Sequence, residues 1–227
     1  DLGLFAEYSE QFLQDWSFTT GMRVDYTQTD LVDDPAKLQE VGLDTFPASY
    51  QEIVGTEQSQ TDRVMWSLYG SLTRDFSPCT NGFASIGYAQ RPPTLTELYA
   101  AQPFLLLLQN GLNNVTGDPR LEAEKLIQAD IGLDIDRRHF SAGIRGFYGW
   151  NFDYITFENT DTIGNVQDGN VQQINLRYVN TRLATLSGFE SFAELLPERC
   201  LSPFASMRYV DGRDRTRNGD FASTDGR

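Results

Sequence analysis

The chain has 227 residues and a formal net charge of −14 at pH 7, because 32 aspartate and glutamate residues outnumber 18 lysine and arginine residues. This balance argues against a nucleic-acid-binding domain, which presents a basic surface to the phosphates. The longest purely apolar run, residues 104–108, is far shorter than the roughly 20 residues of a membrane-spanning helix. Frequent glycine (19 residues), phenylalanine (15) and tyrosine (10) favour an all-β chain.

Alternation of apolar and polar side chains runs through most of the chain and predicts β-strands. It is clearest in the second segment, where an apolar face runs from Trp16 to Tyr26 and the other face carries Arg23 and Asp25. Helical spacing fits none of the alternating segments well. The predicted strands lie, in chain order, near residues 2–10, 15–29, 63–75, 82–91, 123–135, 139–155, 174–195 and 203–213.

The connections between these strands alternate in length. Short connections are expected at residues 11–14, 76–81, 136–138 and 197–202, and long ones at 30–62, 92–122 and 157–173. Tight turns on one side and long loops on the other are typical of transmembrane β-barrels. We therefore predict an all-β fold, an antiparallel transmembrane β-barrel segment of about eight strands with short periplasmic turns and long extracellular loops.

Soluble β-sandwiches and lipocalin-like barrels also have alternating strands. Three features favour the membrane barrel over them: most predicted strands exceed the usual five or six residues, aromatic residues such as Trp16 and Tyr26 stand at the ends of an apolar face, and charges lie in the middle of polar faces. A wet lumen accommodates such charges better than a dry core. The mid-strand charges are Arg23, Asp25, Asp130, Asp134 and Arg145.

The segment after the fourth predicted strand carries a recognisable motif. Residues 87–99 resemble the "aRxPtxxEL" stretch of TonB-dependent outer-membrane receptors, and Arg91, Pro92, Glu97 and Leu98 occupy its motif positions. In that family the stretch lies at the outer end of a rising strand.

Three further segments resemble motifs of the same family, in the same order. Gly117, Asp118, Pro119 and Glu124 look like its "GNPxLxPE" entry into a descending strand, with Asp118 where Asn is usual and Ala123 where Pro is usual. Residues 152–155 resemble its "xxDxI" strand end. Asn180, Gly188 and Glu190 are similar to its "N…a…GvE" strand start.

The resemblance implies active uptake of a scarce nutrient, such as a ferric siderophore or a cobalamin-like chelate, across the bacterial outer membrane. In the family the ligand binds the extracellular loops and a plug domain, and TonB acts on the plug. The implied partners are outer-membrane lipid, lipopolysaccharide, a small chelate-type ligand, and TonB through a plug that this sequence lacks. We expect residues 1–227 to be a partial barrel domain, since no signal peptide, plug or C-terminal barrel strand is visible.

Two other functions stay open at this point. A small complete eight-stranded outer-membrane barrel would act in adhesion, as a structural protein or as a narrow pore. A soluble β-barrel would bind a small apolar ligand.

Nothing in the sequence indicates an enzyme, a cofactor or a metal site. The single histidine, His139, lies in a predicted tight turn, and one histidine with two distant cysteines cannot form a His/Cys metal cluster or complete a catalytic triad. Cys79 and Cys200 lie in short turns separated by four predicted strands. We expect free thiols, because strands about 4.8 Å apart place such turns beyond disulfide reach unless the sheet curls tightly.

The long loops are the better place to look for ligand contacts. Residues 30–62 contain eight acidic residues and one lysine, Lys37. This charge would attract a cationic or metal-chelated ligand, although the more ordinary explanation is that acidic loops stay soluble and bridge divalent cations with lipopolysaccharide. The apolar run 104–108 would contact a ligand or partner, pack inward on neighbouring loops, or extend a strand above the membrane. Our candidate ligand-contact residues are Phe46, Tyr50, Tyr99 and Phe104.

Overall fold

The computed structural model describes residues 1–30, 60–100, 113–159, 174–195, 202–216 and 219–220. Within these ranges the chain forms ten strands and one short helix. In chain order they are β1 (Leu2–Leu13), β2 (Trp16–Asp30), β3 (Gln60–Ser77), β4 (Thr80–Arg91), α1 (Leu95–Tyr99), β5 (Asn113–Thr116), β6 (Glu124–Arg137), β7 (Phe140–Asn159), β8 (Ile174–Leu195), β9 (Phe204–Asp214) and β10 (Gly219–Asp220).

All the long strands pair with their neighbours in one antiparallel sheet. The order is β1-β2-β3-β4-β6-β7-β8-β9-β10, and β5 pairs in parallel with the start of β8. The all-β prediction and the eight predicted strands are confirmed, with small shifts of the boundaries. Two-residue turns at 14–15, 78–79 and 138–139 confirm three of the predicted short connections, and these turns mark what we call the short-turn end of the sheet.

The alternation predicted from sequence gives the sheet two unlike faces. Met22 pairs with Leu68 across β2 and β3, and the next pair is Arg23 with Ser67. Because directly paired residues point to the same side of a sheet, apolar pairs collect on one side. We call the side of Met22, Leu68 and Ile131 the outer face and the side of Arg23 the inner face. Large apolar side chains of the outer face are exposed; Ile131, for example, is 67% exposed.

Aromatic residues of the outer face lie towards both ends of the strands. Trp16 begins β2 at the short-turn end, and Tyr26 lies ten residues further along the same strand. At about 3.3 Å per residue and a tilt of about 45°, these rings stand roughly 23 Å apart, close to the ~25 Å height of a barrel's lipid-facing band. Trp66 and Tyr88, towards the same end as Tyr26, pack with their rings tilted by 36° and their centroids 4.3 Å apart.

The inner face carries ion pairs and aromatic rings. Arg145 contacts Asp134 at 3.4 Å, and Arg208 contacts Glu190 at 3.0 Å. Four aromatic rings each lie over a glycine on the paired strand. These pairs are Tyr69 with Gly21, Phe83 with Gly132, Phe147 with Gly188, and Phe192 with Gly143.

The helical content of the described ranges is confined to the five residues of α1. None of the helix there is long and apolar enough to span a bilayer.

Candidate functional site

The end of the sheet opposite the short turns carries a folded loop that begins at Pro92. Its first element, α1, starts at a capping box: the Thr94 hydroxyl accepts from the Glu97 amide, and the Glu97 carboxylate accepts from the Thr94 amide at 2.6 Å. Each side chain satisfies a backbone N–H that the helix leaves free. This single helical turn places Leu98 and Tyr99 against the sheet, where both are buried.

These two residues belong to an apolar group that we call the loop cluster. Its buried members are Leu98, Tyr99, Val115, Leu121, Ile155 and Tyr178. Ile155 lies on β7 and Tyr178 on β8, while the other members come from the segment between β4 and β6. Leu98 is 1% exposed and Val115 is fully buried. The described parts of the loop, residues 92–100 and 113–123, are therefore packed on the sheet like a small soluble core.

Gly117 lets two parts of this loop approach each other. A Cβ at this position would lie 2.5 Å from the carbonyl carbon of Leu98. The approach is fixed by two backbone hydrogen bonds, from Gly117 N to Ala100 O at 2.7 Å and from Asp118 N to Glu97 O at 2.9 Å. The motif glycine is thus needed for space beside α1.

Arg91 ties four elements together at the rim of the cluster. Its guanidinium donates two bonds to Glu97, at 3.0 and 3.1 Å, and one to Glu124 at 2.8 Å. The second oxygen of Glu124 accepts from the Ile155 amide at 2.8 Å. Planar, paired donation is what a guanidinium offers to carboxylates. One arginine therefore links the end of β4 to α1, β6 and β7.

Asp118 forms a second charged group with two arginines. It accepts from Arg120 at 2.9 and 3.0 Å and from Arg177 at 2.8 Å. Burial raises the pKa of Asp118, but the hydrogen bonds from Arg120 and the charge of Arg177 outweigh burial and hold that pKa below its usual value. The aspartate that replaces the family's usual asparagine is therefore matched by two cations.

Asn180 fastens the loop to the strands. Its side-chain oxygen accepts from the Glu122 amide at 2.8 Å, and its amide nitrogen donates to the carbonyls of Glu122 at 3.1 Å and Asp153 at 2.6 Å. Asp153 has a positive φ of 55° and its carboxylate pairs with Lys125 at 2.7 Å. Arg63 of β3 also donates to the Leu121 carbonyl.

The structure brings most of the motif positions into this one region. Arg91, Glu97, Leu98, Gly117, Asp118, Pro119 and Glu124 all lie in or beside the loop cluster, with Pro92 just before the capping box. Gly188 and Glu190 lie apart, lower on the inner face of β8, under Phe147 and beside Arg208. The motifs therefore mark a folded loop and a strand face.

The four candidate ligand-contact residues are not brought together within the described residues. Tyr99 is 6% exposed inside the loop cluster, so its side chain offers little surface to a ligand. Phe46, Tyr50 and Phe104 lie outside the described residues.

The predicted turn residues are partly described. His139 is exposed in the two-residue turn between β6 and β7. Cys79 is an exposed free thiol in the turn between β3 and β4, whereas Cys200 lies outside the described residues.

Sequence reasoning missed Arg177, Val115 and Tyr178. Arg177 stands 59 residues from its partner Asp118, and no local pattern reports such a pairing. The capping box of α1 was readable, because threonine followed three residues later by glutamate is a helix-start signal.

Comparisons with known proteins agree with this geometry. The family described as "TonB dependent receptor-like, beta-barrel" matches residues 1–227. No protein of curated function matches the chain.

Solved structures show the same fold at low sequence identity. The copper transporter OprC aligns with a TM-score of 0.68 and 18% identity, over 96% of this chain and 30% of the transporter. The siderophore receptor PirA from Pseudomonas aeruginosa aligns with a TM-score of 0.61 and 16% identity, over 93% of this chain and 34% of the receptor. The FrpB iron transporter from Neisseria meningitidis aligns with a TM-score of 0.56 and 16% identity, over 93% of this chain and 25% of the transporter.

The chain spans about a quarter to a third of the length of these solved structures. The family match, in contrast, extends over every residue of the chain. Together with a sheet that has an apolar outer face, a charged inner face and a folded loop built from the motif residues, this match establishes that the chain belongs to the TonB-dependent receptor β-barrel family.

Proposed function

We propose that residues 1–227 form part of the barrel wall of a bacterial outer-membrane receptor that imports a scarce nutrient as a metal chelate, in a TonB-dependent step. The observation that carries this proposal is the contrast between the two faces of the sheet. Large apolar residues such as Ile131 and Val64 are exposed on the outer face, while Arg145 and Glu190 form ion pairs on the inner face. Lipid outside and water inside would satisfy both faces.

The nutrient class is supported by the solved relatives. Three of them are named a copper transporter, a siderophore receptor and an iron transporter. We infer that this chain serves a ferric siderophore or a related chelate, and that its role is binding and transport without a catalytic step.

The loop cluster would serve as a fixed base for ligand binding at the extracellular end. Arg91 and Asn180 fasten the loop to the strands on either side, so segments that continue from it start from a defined position. Phe46, Tyr50 and Phe104 remain our proposed ligand contacts, and the acidic residues of 30–62 would draw in a cationic or chelated ligand.

The remaining partners follow from the family. The inner face would contact a plug domain, through which TonB acts, and the outer face would contact lipid and lipopolysaccharide.

Uptake by cells that express the full-length protein tests this proposal. We expect accumulation of at least one labelled chelate from a panel of ferric siderophores, cupric complexes and cobalamin, and we expect accumulation to stop when TonB is deleted. Uptake that continues without TonB would contradict the proposal and favour a passive pore. Failure of the whole panel would contradict the nutrient class.

The ligand contacts need their own variants. Phe46→Ala, Tyr50→Ala and Phe104→Ala should each weaken chelate binding to whole cells, because each removes a large aromatic contact. Leu95→Ala is the matched control, since Leu95 is 60% exposed on α1 and is not a proposed contact. Equal binding by all four variants would remove these residues from the proposed site.

A further inference from the structure

The outer face contains an apolar groove of about 590 Å³ near the short-turn end. It crosses the middle strands of the sheet, away from the β1 edge, so closure of a barrel at the sheet edges would not cover it. Small residues form its floor: Gly82 and Ala84 on β4, and Gly146 on β7. The walls are formed by Leu72, Ile131, Leu133, Ile144 and Phe189.

The floor at Gly146 is open. A Cβ placed on Gly146 would meet no atom nearer than 3.9 Å, so the space above it belongs to the groove. A volume of this size lies within the range of about 300–1,000 Å³ that holds small ligands in other proteins.

One charged residue, Arg74, lines this otherwise apolar groove. Its guanidinium lies 5.0 Å from the centre of the Trp16 ring and 5.1 Å from that of Phe76. Among the described residues no carboxylate forms a salt bridge with Arg74. The neighbouring Asp75 alternates to the inner face of β3. The groove therefore combines an apolar lining with a positive charge beside two aromatic rings.

We propose that this groove holds an acyl chain of a glycerophospholipid, with the lipid phosphate at Arg74. The inference rests on the proposed membrane placement, in which the short-turn end faces the periplasm. Trp16 and Phe76 then stand at the level of the headgroups, as interfacial aromatics do, and the adjacent leaflet consists of phospholipid. Arginine suits a phosphate because its planar donors match the phosphate oxygens.

The test is native mass spectrometry of the full-length protein, purified in detergent and titrated with phosphatidylglycerol. Gly146→Leu fills the groove and Arg74→Gln removes the charge. We expect each to lower the apparent affinity by about tenfold. Met22→Leu, on the outer face away from the groove, and Arg137→Gln, a cation at the same end of the sheet but not in the groove lining, are the matched controls and should bind like the wild type.

Three results would overturn the proposal: equal binding by wild type, Gly146→Leu and Arg74→Gln; loss in the controls as large as in the test variants; or tighter binding of lipid A than of phosphatidylglycerol. Heat-modifiable gel mobility verifies that each variant is folded, and Ala84→Leu replaces Gly146→Leu if that variant does not fold. A wild-type protein that binds no phosphatidylglycerol but still takes up the chelate contradicts this inference alone, whereas wild-type lipid binding that the two test variants lose, without TonB-dependent uptake, contradicts the proposed function alone.

Discussion

The loop cluster and the long strands follow opposite rules of burial. Prolines aside, six of the eight buried hydrophobic residues of the described chain belong to the loop cluster, whereas the strands leave residues such as Val64 and Ile131 more than 60% exposed. The loop is held by a dry core and ion pairs, as in a soluble protein. The sheet is held by backbone hydrogen bonds and, in our account, by lipid on its outer face.

In our account the chain therefore meets two environments, a dry protein core in the loop cluster and lipid on the outer face of the sheet. In the loop cluster, a substitution should change stability through the packing between side chains. In the sheet, its effect should depend on whether the residue lies on the outer or the inner face.

The largest effect is expected in the loop cluster. Leu98→Ala should destabilise the folded loop by about 2–5 kcal/mol, because it leaves a cavity where the side chain was 1% exposed. Hydrogen exchange at the Gly117 and Asp118 amides, which bond to α1 and the residue that follows it, measures the loss. Leu95→Ala on the exposed side of the same helix should leave this exchange unchanged, and a comparable acceleration there would show that the loop is not held by its core.

In the sheet, the cost of introducing a charge should depend on whether it stands on the outer or the inner face. Ile131→Arg places a charge on the outer face and should cost about 2–4 kcal/mol of membrane insertion, whereas Asp130→Arg on the inner face should cost much less. The fraction of heat-modifiable, inserted protein measures both variants. Equal effects would mean that the two faces are wrongly assigned.

A third prediction compares two glycines. Gly117→Ala should destabilise the loop by about 1–3 kcal/mol, because the new Cβ would overlap the backbone at Leu98. Gly146→Ala is the control, since its Cβ would have space on the outer face. Amide exchange of the loop should accelerate only in Gly117→Ala, and an unchanged rate would disprove the close approach.

The smallest effect is electrostatic and depends on pH. The pKa of Asp118 is lowered in the folded loop, so its stabilising effect is complete above its unfolded pKa of about 3.9 and is lost as the pH falls through the lower folded pKa. Loop stability, measured by amide exchange between pH 5 and pH 3, should therefore fall on acidification. Asp118→Asn should reduce this dependence, and a variant with the same pH profile as the wild type would contradict the role of Asp118.

The sequence predicted the strands because alternation is a local property. Trp16 to Tyr26 alternates visibly, and the strand lies where expected. β5 escaped notice because it is four residues long and is held by β8, about 60 residues further along the chain. Its existence depends on a parallel pairing that no short segment reports.

The candidate site was predictable only where a motif marked it. The resemblance pointed to Arg91 and Glu97, but gave no reason for their proximity to Glu124. Tyr99 was expected as a ligand contact because it is aromatic and lies in a long loop. In the structure it follows Leu98 in α1 and is buried with it in the loop cluster. Burial there depends on Ile155 and Tyr178 from distant strands, so the sequence alone could not show it.

The central claim is that lipid covers one face of this sheet and water the other. A spin-label scan of residues 128–134 in β6 tests it most directly, with single cysteines introduced into a Cys79→Ser, Cys200→Ser background of the full-length protein in bilayers. We predict that accessibility to oxygen, which dissolves in lipid, peaks at the odd-numbered positions, and that accessibility to a water-soluble nickel complex peaks at the even-numbered ones. Accessibility without a two-residue period, or with the two faces exchanged, would contradict the account.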